Sequence, residues 1–244
     1  MKKLNLIEKF DRWDKKIIVK WNGYVGKLLA FFLRIISFLG RETIWLILIV
    51  FYLFIWYDPI LFSHIGSTFL TGLILIVPSK RYIDRARPFE SISKIRVLER
   101  KPSSESFPSW HVYNVVSQGL MFIYFFNNIV IILAAIVCSI IVAISRIQLG
   151  VHYPSDVIAG GLFGILGFFL ALGFIAPLSY TILLFFENLI PIPPQYHQLN
   201  SLLFQNVWYS ALCSGLIIII FIIANYKWLR DYFKKNSNAR KLEI

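Results

Sequence analysis

The sequence predicts an all-α fold: a polytopic membrane helix bundle of about six transmembrane helices, preceded by an N-terminal interfacial amphipathic helix. Three observations predict it. First, 57% of the 244 residues are hydrophobic and only 16% are charged, against about 25% in ordinary soluble domains. Second, the apolar residues fall into runs close to the ~20 residues that a helix needs to cross a bilayer. Third, 25 Lys and Arg against 13 Asp and Glu give a net charge of +12, confined to a few segments. In a soluble chain such a charge would point to nucleic acid. In a membrane chain it points instead to anionic lipid, a phosphorylated substrate or topology, and no nucleic-acid partner is expected.

The first element is a helix over residues 4–21, with Ile7, Phe10, Ile17 and Trp21 on one face and Lys9, Arg12, Lys16 and Lys20 mainly elsewhere. A basic helix with aromatic anchors is expected to lie in the membrane interface. Charges recurring through Lys20 break any apolar core of a secretory signal, so no cleavage is expected, and no lipidation motif is visible. Residues 24–41 are apolar but carry Lys27 and Arg34, leaving a clean stretch too short to span. They read as a second interfacial or half-buried helix.

Spans are then expected at 43–61, 62–79, 109–127, 129–147, 156–185 and 204–226. The run 156–185 is long for one straight span, and a break is expected near Gly173 and Pro177. Trp45, Trp56, Tyr57, Trp208, Tyr226 and Trp228 mark span ends, as interfacial aromatics do. The stripe Gly160, Gly161, Gly164 and Gly167 suits close helix packing. The division that follows is 1–41 for the amphipathic N-terminal helices, 42–226 for the membrane domain and 227–244 for a basic tail. Cys138 and Cys213 lie in apolar runs and read as small buried hydrophobes.

The charge has a geometry. Ten basic residues lie in 1–41, eight in 80–108, one at Arg146 and six in 227–244. Six spans put all of them on one membrane face. The opposite face holds Asp58, Glu187, His64 and His197 and no Lys or Arg.

Three polar clusters stand against the apolar background: residues 80–88, from Lys80 to Arg87-Pro88; residues 108–111, Pro-Ser-Trp-His; and residues 145–156, from Ser145-Arg146 through His152 to Asp156. Hairpin spans bring all three to one end. A transferring phosphoryl group spreads charge over its oxygens, so its catalysis is mostly positioning and electrostatic stabilisation. Lys80, Arg87 and Arg146 fit a phosphate-binding cage, completed by the Ser109 hydroxyl and nearby amides. No acidic cluster near them resembles a Mg²⁺ or Zn²⁺ site, so no metal or cofactor is expected. His152 and Asp156 stand one helical turn apart, with Pro154 suited to the first helical position. Asp156 can then accept from one imidazole nitrogen and leave the other free to attack phosphorus. His111 is expected to protonate the leaving oxygen and then activate water.

The three clusters follow the order KxxxxxxRP, PSGH, SRxxxxxHxxxD. In this the chain resembles the type 2 phosphatidic acid phosphatase family of integral-membrane lipid phosphatases. The resemblance implies metal-independent removal of phosphate from a lipid phosphate or pyrophosphate, with the roles above. One position departs: Trp110 stands where the family motif has glycine. Trp either narrows the site or turns to lipid while its amide reaches phosphate, and this keeps a lipid-linked phosphotransferase open as an alternative to a hydrolase. Vanadate haloperoxidases share such a site but are typically soluble. A non-catalytic scaffold or transporter predicts no phosphate release, and no inverted repeat or polar pore supports it.

Arg81, Arg85, Lys94, Arg96, Arg100 and Lys101 read as topology determinants or headgroup anchors, and His64 and His197 as interfacial polar residues. Asp84 and Glu90 are expected to pair with nearby Arg, and Ser155 and Tyr153 to cap and pack. The motifs leave the substrate open among undecaprenyl pyrophosphate, phosphatidylglycerophosphate, phosphatidate and a lipid A phosphate. The positive-inside rule places the basic face in the cytoplasm, whereas the family resemblance implies the extracytoplasmic side. A multi-pass location in the cell membrane is expected either way.

Overall fold

The computed structural model describes residues 6–189 and 195–241. All its regular elements are helical: α1 (Leu6–Trp21), α2 (Lys27–Ser37), α3 (Glu42–Val50), α4 (Pro59–Ile83), α5 (Pro88–Ser91), α6 (Trp110–Phe126), α7 (Ile129–Gln148), α8 (Pro154–Leu170), α9 (Ala176–Glu187), α10 (Leu202–Gln205) and α11 (Val207–Lys241). Among the described residues, four helical stretches are long and apolar enough to cross a membrane, or five if Lys27–Gly40 and Glu42–Ile55 act as one broken span. The chain is a multi-pass helical membrane protein. At 17 residues α6 is about 25 Å long, close to the hydrocarbon thickness of a bilayer.

The chain forms two compact units. One comprises residues 1–42 and 63–182. Its interior is polar in a way that suits a bilayer, where helices associate through small residues and interhelical hydrogen bonds. Gln118 Nε2 donates to the Ile65 carbonyl (3.1 Å), the Tyr113 hydroxyl to the Thr68 carbonyl (2.8 Å) and Asn114 Nδ2 to the Gly40 carbonyl (3.0 Å). The glycine stripe of α8 admits α6. A Cβ at Gly160 would stand 2.5 Å from the Ser109 carbonyl oxygen, one at Gly164 would stand 3.0 Å from the Tyr113 carbonyl, and one at Gly167 would collide with the Tyr113 hydroxyl. Gly161 lacks such crowding; its nearest neighbour is a Val112 methyl at 3.9 Å. On α7 the exposed residues Ile129, Leu133, Ile136, Val137, Ile140 and Ile144 recur at helical spacing, which makes one apolar face for lipid.

The other unit comprises residues 43–62 and 183–244. Trp56 and Leu199 form an antiparallel bridge, and Asn200 Nδ2 donates to the Tyr209 hydroxyl (2.9 Å). Glu187 accepts from the hydroxyls of Tyr57 and Tyr196. Asp58 Oδ1 caps α4 at Ile60 and Leu61, and Asp58 Oδ2 lies 3.1 Å from His197 Nδ1.

Several expected boundaries move. α4 starts at Pro59 rather than 62, because Asp58 supplies the cap. The expected break at Gly173 and Pro177 does not occur. A π-type turn over Ala171–Ile175 joins α8 to α9, and such a turn lets a helix pass a proline with its backbone groups rearranged. α11 starts at Val207, where Asn206 Oδ1 accepts from the amides of Trp208 and Tyr209 (3.0 and 3.2 Å), and it runs on through the basic segment to Lys241. The side chains of Ile7 and Trp228, and those of the basic tail other than Arg230, lie outside the described residues, as do residues 1–5, 190–194 and 242–244.

Candidate active site

The site forms where the end of α4, the loop 92–109, the start of α6, the end of α7 and the start of α8 meet, all within the first unit. α4 ends on Asp84 at a φ of 44°, its amide bonded to the Lys80 carbonyl (2.9 Å). Aspartate tolerates this left-handed position better than most residues. The chain leaves α4 there, and Arg87 becomes the cap residue of α5, its amide held by Glu90 Oε2 (2.8 Å). The last turn of α7 presents Arg146. Gly150, at a φ of 78°, then turns the chain so that Tyr153 caps α8. Pro154 opens α8, as its fixed φ and missing N–H favour.

His152 is 3% exposed and lies between opposite charges. Its Nε2 is 3.3 Å from Arg87 Nη1, and its Nδ1 is 3.6 Å from Asp156 Oδ2. The expected hydrogen bond from imidazole to Asp156 is not made, since 3.6 Å is too long. The carboxylate is held by other donors: Ser106 Oγ (2.5 Å) and the Tyr153 amide (2.8 Å) on Oδ2, and Arg85 Nη1 (2.6 Å) on Oδ1. Asp156 remains the carboxylate that faces Nδ1. Burial pushes the His152 imidazole down to about 3; Arg87 and Lys80 reinforce this and Asp156 opposes it.

The three cage cations each hold an oxygen of the segment Glu99–Glu105. Lys80 Nζ donates to the Glu105 carbonyl (2.5 Å). Arg87 Nε donates to the Ser104 carbonyl (2.6 Å), its Nη1 to the Val151 carbonyl (2.7 Å) and its Nη2 to the Glu105 carbonyl (3.3 Å). Arg146, 1% exposed, makes a two-pronged pair with Glu99 (3.0 and 3.1 Å). Planar two-point contact is how guanidinium recognises carboxylate and phosphate alike. Ser109 caps α6 in full burial, and its hydroxyl has no hydrogen-bond partner. Its amide is taken by the Asp156 carbonyl (3.0 Å), so this amide does not add to the cage. The start of α6 still directs a positive helix end beside Ser109, which favours an anion. His111 lies in the field of Arg146, His152, Arg41 and Arg87. Gly40 presses against it so closely that a Cβ there would stand 2.7 Å from His111 Cβ.

The Trp110 ring is engaged by neighbouring aromatic rings. It stacks on Tyr113 (centroids 5.8 Å apart) and meets Phe69 edge-on (5.7 Å). Among the described residues no three His, Cys, Asp or Glu side chains converge as a metal site would need.

The sequence reading missed four participants: Arg85, Asp14, Glu99 and Ser106. Arg85 is no headgroup anchor, since it pairs with both Asp14 and Asp156 at 2.6 Å. Asp84 and Glu90 serve the backbone at a helix end and a helix start. Beside Arg85, an open apolar groove of about 980 Å³ runs between α1 and α8, lined by Phe10, Trp13, Ile83, Phe107, Ile158 and Leu162 among others.

Residues 59–179 match the profile of the PAP2 superfamily. The chain is 33% identical over 156 residues to phosphatidylglycerophosphatase B of Bacillus subtilis, covering 57% of this chain and 71% of that one. It is 30% identical over 125 residues to an undecaprenyl-diphosphatase of Sulfolobus acidocaldarius (51% of this chain, 60% of that one). It is 35% identical over 114 residues to a lipid A 1-phosphatase of Rhizobium etli (45% of this chain, 46% of that one). Among solved structures, LpxE of Aquifex aeolicus shares the fold with a TM-score of 0.58 at 19% identity, covering 65% of this chain and 94% of that one. A transmembrane PAP2-type phosphatidylglycerolphosphate phosphatase from Bacillus subtilis gives 0.50 at 26% identity (70% and 87%). The three motifs, the helical membrane fold and these likenesses together place the chain in the PAP2 superfamily.

Proposed function

We propose that the protein is a metal-independent lipid phosphate or pyrophosphate phosphohydrolase that works through a phospho-histidine on His152. The observation that carries this is the placement of His152, with Nδ1 toward Asp156 and Nε2 beside Arg87. Asp156 selects the tautomer with the proton on Nδ1, which leaves the Nε2 lone pair for phosphorus. Nε2 bonds to phosphorus as the bond to the leaving oxygen breaks, and His111 gives that oxygen its proton. His111 then takes a proton from water, the resulting oxygen bonds to phosphorus, the P–N bond breaks and inorganic phosphate leaves. Lys80, Arg87 and Arg146 exchange their present oxygen partners for the phosphoryl oxygens, and the unpartnered Ser109 hydroxyl joins them. The apolar groove beside Arg85 suits a lipid better than a water-soluble phosphate ester.

Substrate candidates are the lipids named by the relatives, an undecaprenyl diphosphate, phosphatidylglycerophosphate and a lipid A 1-phosphate, together with phosphatidate. The test is phosphate release from this panel by the full chain in detergent with EDTA present. Release that EDTA leaves intact is expected; release that needs a divalent metal overturns the mechanism. Labelled phosphate is expected to be trapped on the wild type, and its trapping on His152→Ala would remove His152 as nucleophile. The notion of transfer to a hydroxylated acceptor rested on Trp110, and the engagement of that ring with Phe69 and Tyr113 gives it no support.

The cell membrane is the proposed location. The site face belongs in the cytoplasm by the charge rule, since 22 Lys and Arg lie on the expected basic face even without Lys80, Arg87 and Arg146. Ser103→Cys in intact cells should stay unlabelled by an impermeant maleimide. Labelling there would put the site outside.

A further inference from the structure

Residue 14 falls outside the family match at 59–179, on a helix whose sequence speaks only of the membrane surface. Asp14 is nevertheless fully buried. Its Oδ1 accepts from the Ser155 amide (2.9 Å), and its Oδ2 from the Ser155 hydroxyl (2.5 Å) and from Arg85 Nη2 (2.6 Å). Arg85 Nη1 reaches Asp156 Oδ1 (2.6 Å) and Ser155 Oγ (2.7 Å), and its guanidinium carbon lies 4.1 Å from the Tyr153 ring centroid. Arg85 therefore sits between two buried carboxylates, and the second is the one that faces His152.

This position raises an electrostatic problem. When Nε2 bonds to phosphorus, positive charge grows on the imidazole, and the Asp156 carboxylate, with Oδ2 3.6 Å from Nδ1, stabilises it by Coulombic attraction. A guanidinium 2.6 Å away cancels the Asp156 charge and weakens that help. Asp14 cancels Arg85 in turn. The row Asp14, Arg85, Asp156 keeps one net negative charge, and it does so at His152.

We propose that Asp14, acting through Arg85, is a positioning residue for the His152–Asp156 pair: it fixes the guanidinium and preserves the negative charge that the nucleophile needs. The proposal rests on the reading of His152 as nucleophile. A staple that merely pins α1 to α8 makes a different prediction. If Asp14 and Arg85 only pin the helix, removing both harms activity at least as much as removing one. If charge balance matters, removing both restores it. Asp14→Asn leaves Arg85 and Asp156 neutral overall, whereas Asp14→Asn/Arg85→Gln leaves the single negative charge of Asp156.

The test uses the purified full chain in detergent micelles, with phosphate release from phosphatidate, or from whichever panel lipid the wild type hydrolyses, and a thermal melt of each variant. Asp14→Asn is expected to lower kcat by about 10- to 100-fold, the same order as the loss when the outer partner that orients a metal-ligating histidine is removed, with KM little changed. The double variant is expected to regain most of that kcat even though it melts below the wild type. A double variant no more active than the single one overturns the proposal, as does a single variant with wild-type kcat. If Asp14→Asn fails to fold, the double variant decides alone: kcat within a few-fold of wild type supports the proposal and a loss of tenfold or more overturns it. His152→Ala runs in parallel. Activity surviving there defeats the nucleophile reading itself, whereas an inactive His152→Ala beside an unaffected Asp14→Asn defeats this inference alone.

Discussion

Glu99 presents a carboxylate to Arg146 where the mechanism needs a phosphoryl group, so changing it should move stability and phosphate binding in opposite directions. The pair is buried, with Arg146 1% and Glu99 9% exposed, and both contacts are close, at 3.0 and 3.1 Å. Removing one partner of a buried pair leaves an uncompensated charge and costs about 3–5 kcal/mol. Glu99→Gln keeps one acceptor oxygen, so a value near the low end, about 3 kcal/mol, is expected. At about 2–4 °C per kcal/mol for a chain of this size, the melt in detergent should fall by about 6–12 °C. A free Arg146 is then a better anion site. A carboxylate about 4 Å from a bound anion opposes it by about 4 kcal/mol per unit charge at an effective dielectric of 20, and the variant loses that opposition. Inorganic phosphate at saturating concentration should therefore raise the melting temperature of Glu99→Gln more than that of the wild type, by mass action on the folded state. The assay is the pair of melts with and without phosphate. An unchanged melting temperature with equal phosphate shifts in both proteins would refute the reasoning.

Other expectations follow from single features of the fold. Gly150→Ala places a Cβ at a φ of 78° and within 2.6 Å of the Arg96 carbonyl oxygen; the backbone term alone is about 1–2 kcal/mol, and a lowered melt with reduced kcat checks it. Gly72→Ala drives a Cβ into the Tyr113 ring, an overpacking expected to cost about 1–3 kcal/mol and measurable as an earlier denaturant midpoint. His152 has a folded pKa of about 3, below its ordinary 6.5, so the unfolded chain takes up the proton first. Its neutral burial contributes fully above pH 6.5, and that contribution is lost as pH falls from 6.5 toward 3. The wild type should lose melting temperature across that window more steeply than His152→Asn does. Parallel slopes would show that the imidazole is not buried neutral.

Local features were legible in the sequence. Apolar runs near 20 residues gave the membrane helices, because a bilayer leaves the backbone no alternative but internal hydrogen bonds. The spacing of four between His152 and Asp156 and the proline at 154 placed both residues at a helix start, since one turn of helix is a local constraint. The glycines of α8 announced close packing, and the structure puts Gly160, Gly164 and Gly167 against α6. Helix ends were less legible. Asp58 and Asn206 stop or start helices through side-chain caps that hydropathy does not register. Gly173 and Pro177 read as a break, and a π-type turn carries the helix past them.

On α1 the apolar face read from the sequence, with Phe10 and Trp21, stays exposed, while Asp14 and Ile18, one turn apart, are buried. A buried carboxylate on a surface helix has meaning only through its partners, and those lie 71 and 141 residues away at Arg85 and Ser155. Glu99 and Arg146 are likewise 47 residues apart.

The sequence by itself determined the chemistry available, a set of cations, two histidines and an aspartate at the ends of membrane helices, because residue type and short spacing are local facts. Only the tertiary structure decided which charges neutralise one another. Arg85 faces two carboxylates, Arg146 faces Glu99, and His152 stands between Arg87 and Asp156. Coulombic pairing depends on separations of a few ångströms, and the packing of helices far apart in the chain sets those separations.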